Sequence, residues 1–168
     1  MNAGDLDYRR ARANDARALA ALRYQFRTQL ADPQETQSQF IDRCGAWMEA
    51  RLSGSAWLAW LAEHQGRIIA QIWLHSIEKI PNPVAEHETN AYITNAFVLP
   101  EFRARGVGGE LLRLALQWCA DARVDRVVLW PTKRSRPLYA RHGFKVDNDM
   151  MELRMAGDHH HEPRSGAP

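Results

Sequence analysis

The sequence predicts an α/β fold (α+β in some schemes): a mixed, mostly antiparallel sheet with helices on both faces. Three observations predict it. Strand-like and helix-like segments follow in the order β-α-α-β-β-β-α-β-α-β. Residues 90–130 hold a strand, a helix and a second strand, a crossover that makes at least one strand pair parallel. Residues 90–99 are apolar at both parities, as a strand covered on both sides must be.

Each element has its own signal. Residues 6–13 read as a short strand, and Asn14 as the N-cap of a helix with Asp15 at the positive end of its dipole. Ala18, Leu19, Leu22 and Phe26 keep helical spacing, carrying that helix to about Leu30 before Asp32-Pro33 breaks it. A second helix spans residues 37–52, with Phe40, Ile41, Cys44, Trp47, Met48 and Leu52 near one stripe and Gly54 closing it. Two apolar runs, 56–63 and 67–77, flank Gln65-Gly66 and read as an antiparallel hairpin. The Trp, Ile and Leu content of these runs is most simply core and rim packing. Residues 79–89, with Pro81 and Pro83, are a loop before the strand at 90–99. A helix over 108–123 is carried by Leu111, Leu112, Ala115, Leu116 and Cys119, and residues 126–130 form another buried strand. Residues 138–142 make a short helix ended by Gly143, and 150–155 a last strand. Residues 1–156 thus form one domain, and 157–168, rich in His, Pro, Gly and Ser, a disordered tail.

Composition bounds the function. A chain of 168 residues suffices for one domain, and at about this length roughly 68–70% of the unfolded surface is buried without staples. Lys and Arg number 22 against 20 Asp and Glu, so the net charge of +2 gives nucleic acid and anionic membrane no support as partners. Cys44 and Cys119 fit no metal or disulfide spacing and read as small buried residues in a reducing compartment. No metal is expected, and His159-His160-His161 is assigned no function. With Asp5, Asp7, Arg9 and Arg10 interrupting the first residues and no apolar run near 20 residues, the expectation is a cytoplasmic protein.

Chemistry concentrates in one segment. A strand runs into Arg103-Ala104-Arg105-Gly106-Val107-Gly108-Gly109 and then directly into a helix. The three glycines permit close backbone approach and positive φ, the helix start offers unpaired N–H groups, and Arg103 and Arg105 add charge. Together they suit a diphosphate. The spacing fits neither the dinucleotide fingerprint nor the P-loop, since the third glycine would fall on Leu111 and no Gly-Lys pair exists. Lys133, Arg134, Arg136 and Arg141 make a second basic cluster, available to a further phosphate or to an acidic acceptor.

Two motifs in order then resemble the Gcn5-related N-acetyltransferase (GNAT) superfamily. The first is Val98-Leu99-Pro100-Glu101-Phe102-Arg103-Ala104-Arg105-Gly106-Val107-Gly108, and the second Leu138-Tyr139-Ala140-Arg141-His142-Gly143-Phe144. Tyr8-Arg9-Arg10-Ala11, followed by Asp15-Ala16, is similar to that superfamily's opening strand and helix, so the resemblance covers about residues 6–155. It implies a splayed parallel strand pair at the sheet's centre and acetyl-coenzyme A as cosubstrate. The diphosphate would lie on main-chain N–H groups around Arg105, Gly106, Val107, Gly108 and Gly109, with Arg103 nearby. The pantetheine arm would pair with Phe97, Val98 and Leu99 as a surrogate strand. Tyr139 would face the departing sulfur. The implied reaction is direct attack of a primary amine, on a small molecule or peptide, on the thioester. The general base stays open among Glu86, His87, Glu88 and a water chain to a carboxylate; Thr94 and Asn95 lie in the strand that would border the amine, either facing it or satisfying local hydrogen bonds. A homodimer is compatible with the superfamily. The alternative is a domain of this fold that binds the cofactor as a sensor or interaction module without catalysis.

Overall fold

In the computed structural model, which describes residues 6–146 with Met150, Met151 and Leu153, five strands lie side by side in chain order. They are β1 (Leu6–Arg10), β2 (Trp57–His64), β3 (Arg67–Glu78), β4 (Thr89–Val98) and β5 (Arg126–Val128). Pairing is antiparallel from β1 to β4 and parallel between β4 and β5. Gln65 and Gly66 both take positive φ, 51° and 77°, the mirror-image turn whose twist suits two antiparallel strands. The expected hairpin follows from that pair of residues. The parallel pair closes the described sheet.

Among the described residues four helices cover the sheet: α1 (Ala16–Thr28), α2 (Gln37–Leu52), α3 (Val107–Asp121) and α4 (Arg136–Arg141). Side chains alternate across the strands, and so does the core. On one face Leu19 and Ala20 of α1 and Met48 of α2 meet Ala59, Leu61 and Trp73. On the other, Leu111, Leu112 and Ala115 of α3 meet Trp60, Ile72, Leu74 and Ile93. Full burial of a Leu such as Leu61 contributes about 1.5–3 kcal/mol. Among the described residues, the one large polar side chain wholly inside is Gln71, and it is satisfied: Nε2 donates to Leu19 O (3.0 Å), while Oε1 accepts from Trp73 Nε1 (2.8 Å).

Several boundaries differ from the sequence reading for physical reasons. Asn14 is not the cap of α1; it sits inside a 3₁₀ turn, Ala13–Asp15, and Asp15 stands before the helix. The Asp15 carboxylate accepts from both terminal nitrogens of Arg9 (2.8 Å each) and from Arg12 N–H (2.7 Å), which tightens the chain there. For α2 the expected bounds hold, and its start is fixed by a reciprocal pair between Thr36 and Gln39, a capping box the sequence reading passed over. Its C-cap is Ser53, and Gly54 takes no left-handed conformation. Gly143 does, at φ 86°, just beyond α4.

The strand expected over 126–130 is shorter, ending at Val128. Most of the strand expected over 150–155, and the tail at 157–168, lie outside the described residues; Met150, Met151 and Leu153 are exposed. Among the described residues, no helix is long and apolar enough to cross a membrane. Cys44 and Cys119 are both free thiols, and burial pushes Cys119 up to about 11.

Candidate active site

The site begins where β4 loses a neighbour. Its register with β5 runs Asn90↔Arg126, Ala91↔Val127, Tyr92↔Val128, and stops. Toward β3 the register slips between Gln71↔Phe97 and Trp73↔Thr94, leaving one extra residue on β4. Asn95 lies in that bulge with φ 50°, left-handed, a conformation that asparagine tolerates better than most residues. A bulge bends its strand, so the half of β4 beyond Tyr92 diverges from β5. Beyond the bulge, Leu99 N–H donates to Ile69 O (3.0 Å). By alternation Val98 therefore turns its own N–H and C=O away from β3, toward the divergent side, while Phe97 directs its main-chain groups to β3. Of the three strand residues expected to meet a ligand's backbone-like arm, Val98 is the one whose main chain faces the opening.

The turn after β4 has two left-handed residues, Ala104 (φ 59°) and Gly106 (φ 81°), with Arg105 between them outside that region. Such alternation is the backbone form in which successive N–H groups converge on an anion. Gly106 is also the N-cap residue of α3, and no side chain caps the helix there. The first intrahelical bond is Glu110 N–H to Gly106 O (3.0 Å), so the N–H groups of Val107, Gly108 and Gly109 precede the ladder. Only Gly106 among these three glycines needs positive φ. A Cβ at Gly108 would meet Leu138 Cδ2 and Val98 Cγ2 at 3.6 and 3.7 Å, and one at Gly109 would meet Leu138 Cδ1 at 3.7 Å. These are ordinary contacts, so Gly108 and Gly109 mark close packing of α3, α4 and β4 rather than strain.

Arg103 is largely used by the protein itself. Its Nε donates to Val98 O (2.9 Å), Nη2 donates to Gln29 Oε1 (3.3 Å), and its guanidinium carbon lies 5.6 Å from the Phe97 ring centre. It braces the end of β4. Burial lowers its pKa, and Arg134 nearby lowers it further, so two cations of the separate basic segments face each other here. Arg105 lies over Phe102, 5.5 Å from the ring centre. Tyr139 of α4 is buried, 7% exposed, with its ring edge-on to Phe144 at 5.7 Å. Burial raises its pKa above the usual phenol value, so it stays protonated and keeps a proton to donate near neutral pH. Its hydroxyl makes no hydrogen bond among the described residues. The preceding residue, Leu138, is the one that packs on the glycine turn, which joins the second motif to the first.

Glu86, His87 and Glu88 are not brought to this place. They are exposed in the loop before β4, where Glu86 binds Lys79 (3.2 Å) and Asn82, and Lys79 in turn binds Asp125 (3.0 Å). These contacts hold the Glu86 carboxyl below its ordinary pKa, Asn82 first and Lys79 second. From Glu88 to Asn95 the strand extends roughly 23 Å at about 3.3 Å per residue. A direct proton transfer cannot cross that distance.

Two residues the sequence reading left unweighted or secondary now stand at the opening. Asn95 supplies the bulge, and Arg23 of α1 donates from Nη1 to its Oδ1 (3.1 Å). Tyr92 and Thr94 share a hydrogen bond (3.2 Å), and Trp130 stands edge-on to Tyr92 at 5.0 Å. Nothing in the helical spacing singles out Arg23, since it follows the buried Leu22 by one position.

Comparison with known proteins agrees with this geometry. A family model described as the Acetyltransferase (GNAT) family matches residues 18–144. The chain is 28% identical over 148 residues to the uncharacterized N-acetyltransferase YhfO of Bacillus subtilis strain 168, covering 84% of this chain and 91% of that one. A GCN5-related N-acetyltransferase from Ralstonia eutropha JMP134 is 27% identical, with a TM-score of 0.72 over 90% of this chain and 99% of that one. A predicted acetyltransferase from Clostridium acetobutylicum, solved with acetyl-CoA, superposes with a TM-score of 0.76 over 92% of this chain and 99% of that one, at 22% identity.

Proposed function

The chain belongs to the acetyltransferase (GNAT) family, and on that premise we propose that it transfers an acetyl group from acetyl-CoA directly to a primary amine. The observation that carries the proposal is the end of the β4–β5 pairing at Tyr92↔Val128, with the unpaired half of β4 then leading to a left-handed turn that opens an uncapped helix. A diverging strand offers main-chain groups to an extended ligand arm, and the turn offers N–H groups to its diphosphate. The donor set fits the cofactor's two ends. Residues 105–109 take the diphosphate, and Val98 N–H is positioned for the arm or for the oxyanion that develops on the thioester carbonyl. A single donor at such an oxyanion contributes roughly 2.7–4 kcal/mol.

In this reading the amine nitrogen attacks the carbonyl carbon, the C–S bond breaks, and the CoA thiolate leaves. Tyr139 donates a hydrogen bond to that sulfur. A phenol at about 10 is a weaker acid than a thiol at about 8.5, and burial makes Tyr139 weaker still, so it stabilises the thiolate without handing over its proton. With Glu86, His87 and Glu88 at the far end of β4, the amine's proton leaves through water along the opening. The acceptor is a small amine, or the amine of a peptide. Arg134 and its neighbours Lys133, Arg136 and Arg141 supply charge for the cofactor's remaining phosphate.

The test uses the purified full chain. Calorimetry with CoA and acetyl-CoA should show saturable binding, and an amine panel with a thiol reagent should show CoA release that depends on the amine. Burial raises both free thiols of the protein, Cys44 and Cys119, above the ordinary cysteine value, and a blank without amine sets their contribution to the thiol signal. Absence of binding overturns the reading. Binding without release on any amine leaves only the sensor.

A further inference from the structure

The acceptor side of the opening carries an unbalanced charge. The glycine turn and α3 lie on one face of the sheet, and α1 and α2 cover the other. An arm threaded between the diverging halves of β4 and β5 from the α3 side therefore presents its acyl end toward α1. Arg23 stands there. It is half-buried, its Nη1 donates to Asn95 Oδ1 at 3.1 Å, and the Phe26 ring centre lies 5.9 Å from its guanidinium carbon.

No carboxylate among the described residues forms an ion pair with it. The ionisable groups that act on it are Arg27, Cys44 and Tyr92: a second cation, a thiol and a phenol, with no carboxylate among them. Burial raises the Cys44 thiol, and burial together with Arg27 lowers Arg23, as expected for a cation withdrawn from water with no anion beside it. A neutral amide oxygen takes one of the five hydrogen bonds a guanidinium can donate. Such a group is costly to keep unless an anion meets it, and the planar fork is the geometry that receives carboxylate or phosphate oxygens. Asn95 is three residues from Val98, roughly 10 Å along the strand, so one small molecule can touch both places.

We infer that Arg23 selects an acceptor amine that also carries an anionic group, a carboxylate or a phosphate, and turns away polycationic amines. The inference rests on the acetyl-transfer reading above. Tyr92 and Trp130, edge to face, give the rest of such an acceptor an apolar wall.

The test compares matched amines at saturating acetyl-CoA: an α-amino acid against its amide, glucosamine 6-phosphate against glucosamine, and spermidine as the polycation. In at least one pair the anionic member should have the higher kcat/KM by about 10- to 100-fold, expressed mainly in KM, as for a charged hydrogen bond left unpaired in the neutral member. The pair that shows the ratio identifies the anion. Arg23→Gln should collapse that ratio toward unity, and Arg23→Lys should keep part of it. If Arg23 only holds the bulge, both members fall together and the ratio survives, which overturns the inference. Preference for spermidine or the neutral members by the unaltered protein overturns it without any variant, should Arg23→Gln fail to fold. Transfer to neutral or cationic amines with none to any anionic amine overturns it as well. Absence of acetyl-CoA binding, or binding without CoA release on any amine, marks instead the failure of the acetyl-transfer reading, and calorimetry with the thiol assay separates these outcomes from the others.

Discussion

Tyr139 shows how much a single side chain can be asked to do. Its side chain is buried, its hydroxyl has no partner among the described residues, and it is a weaker acid than an ordinary phenol. Complete protonation of a departing thiolate would run uphill, so its role is limited to a hydrogen bond that strengthens as sulfur gains charge. Tyr139→Phe should therefore lower kcat by about 10- to 100-fold, at or below the bottom of the usual acid–base range. Calorimetric affinity for CoA should change little, because the diphosphate is held elsewhere. Unchanged kcat at saturating acetyl-CoA would remove Tyr139 from the mechanism. The pH profile carries a second check: with burial raising the Tyr139 pKa above the ordinary phenol value, kcat/KM should climb with pH as the amine deprotonates and show no fall from the phenol below about pH 9.

At the scale of elements, the join between β4 and α3 decides cofactor binding. Gly106 sits at φ 81°, where a side chain is strained, and a Cβ there would meet nothing within 4 Å. Gly106→Ala should thus cost about 1–2 kcal/mol of stability from the backbone alone, read as a shifted urea midpoint. It should weaken CoA by at least about tenfold, because a turn that relaxes out of the left-handed region no longer converges its N–H groups. Equal affinity in calorimetry would show that the turn does not hold the diphosphate. This element was legible in the sequence because glycines, arginines and a helix start fall in one short run, and local chemistry marks local structure. The hairpin at Gln65-Gly66 and the bounds of α2 were legible for the same reason. The bulge at Asn95 was not: one extra residue on a strand is defined only against the register of its neighbour, which sequence spacing does not contain. Nor was the inward turn of Arg23, since a helix position beside Leu22 becomes buried only when β4 and α2 arrive. Glu86, His87 and Glu88 were drawn forward by their nearness in sequence to β4, and the extended length of that strand separates them from the opening. Asn14 lost the cap of α1 to Asp15 because Arg9, on β1, reaches across to the carboxylate.

That Arg9–Asp15 contact also governs a property of the whole molecule, its stability toward acid. Arg9 binds Asp15 through both terminal nitrogens at 2.8 Å and Glu63 at 2.5 Å, fastening β1, the start of α1 and β2 to one another. The Asp15 side chain is only 10% exposed, so the pair is poorly screened by solvent, unlike the outward pairs of Arg17 with Asp42 and Arg113 with Glu110. Hydrogen bonding to Arg9 is the largest influence on Asp15 and lowers its pKa below the ordinary carboxylate value. The sign follows from proton counting. Near pH 4 the unfolded chain holds more protons at this position than the folded one, so stability rises with pH there. The contribution is fully present above the unfolded value of about 3.9 and is lost as pH falls through the lower folded value. Asp15→Asn should cost about 1.5–3 kcal/mol at pH 7, the range for hydrogen bonds to a charged group, tempered by the hold Arg9 keeps on Glu63. The gap between variant and unaltered protein should stay constant from pH 7 to about 5 and narrow below about 4, as protonation of Asp15 in the unaltered protein removes the same interaction. Urea unfolding at several pH values measures both quantities. A gap that persists undiminished at pH 3 would show that packing around Asp15, rather than its charge, fastens the first strand and helix to the sheet.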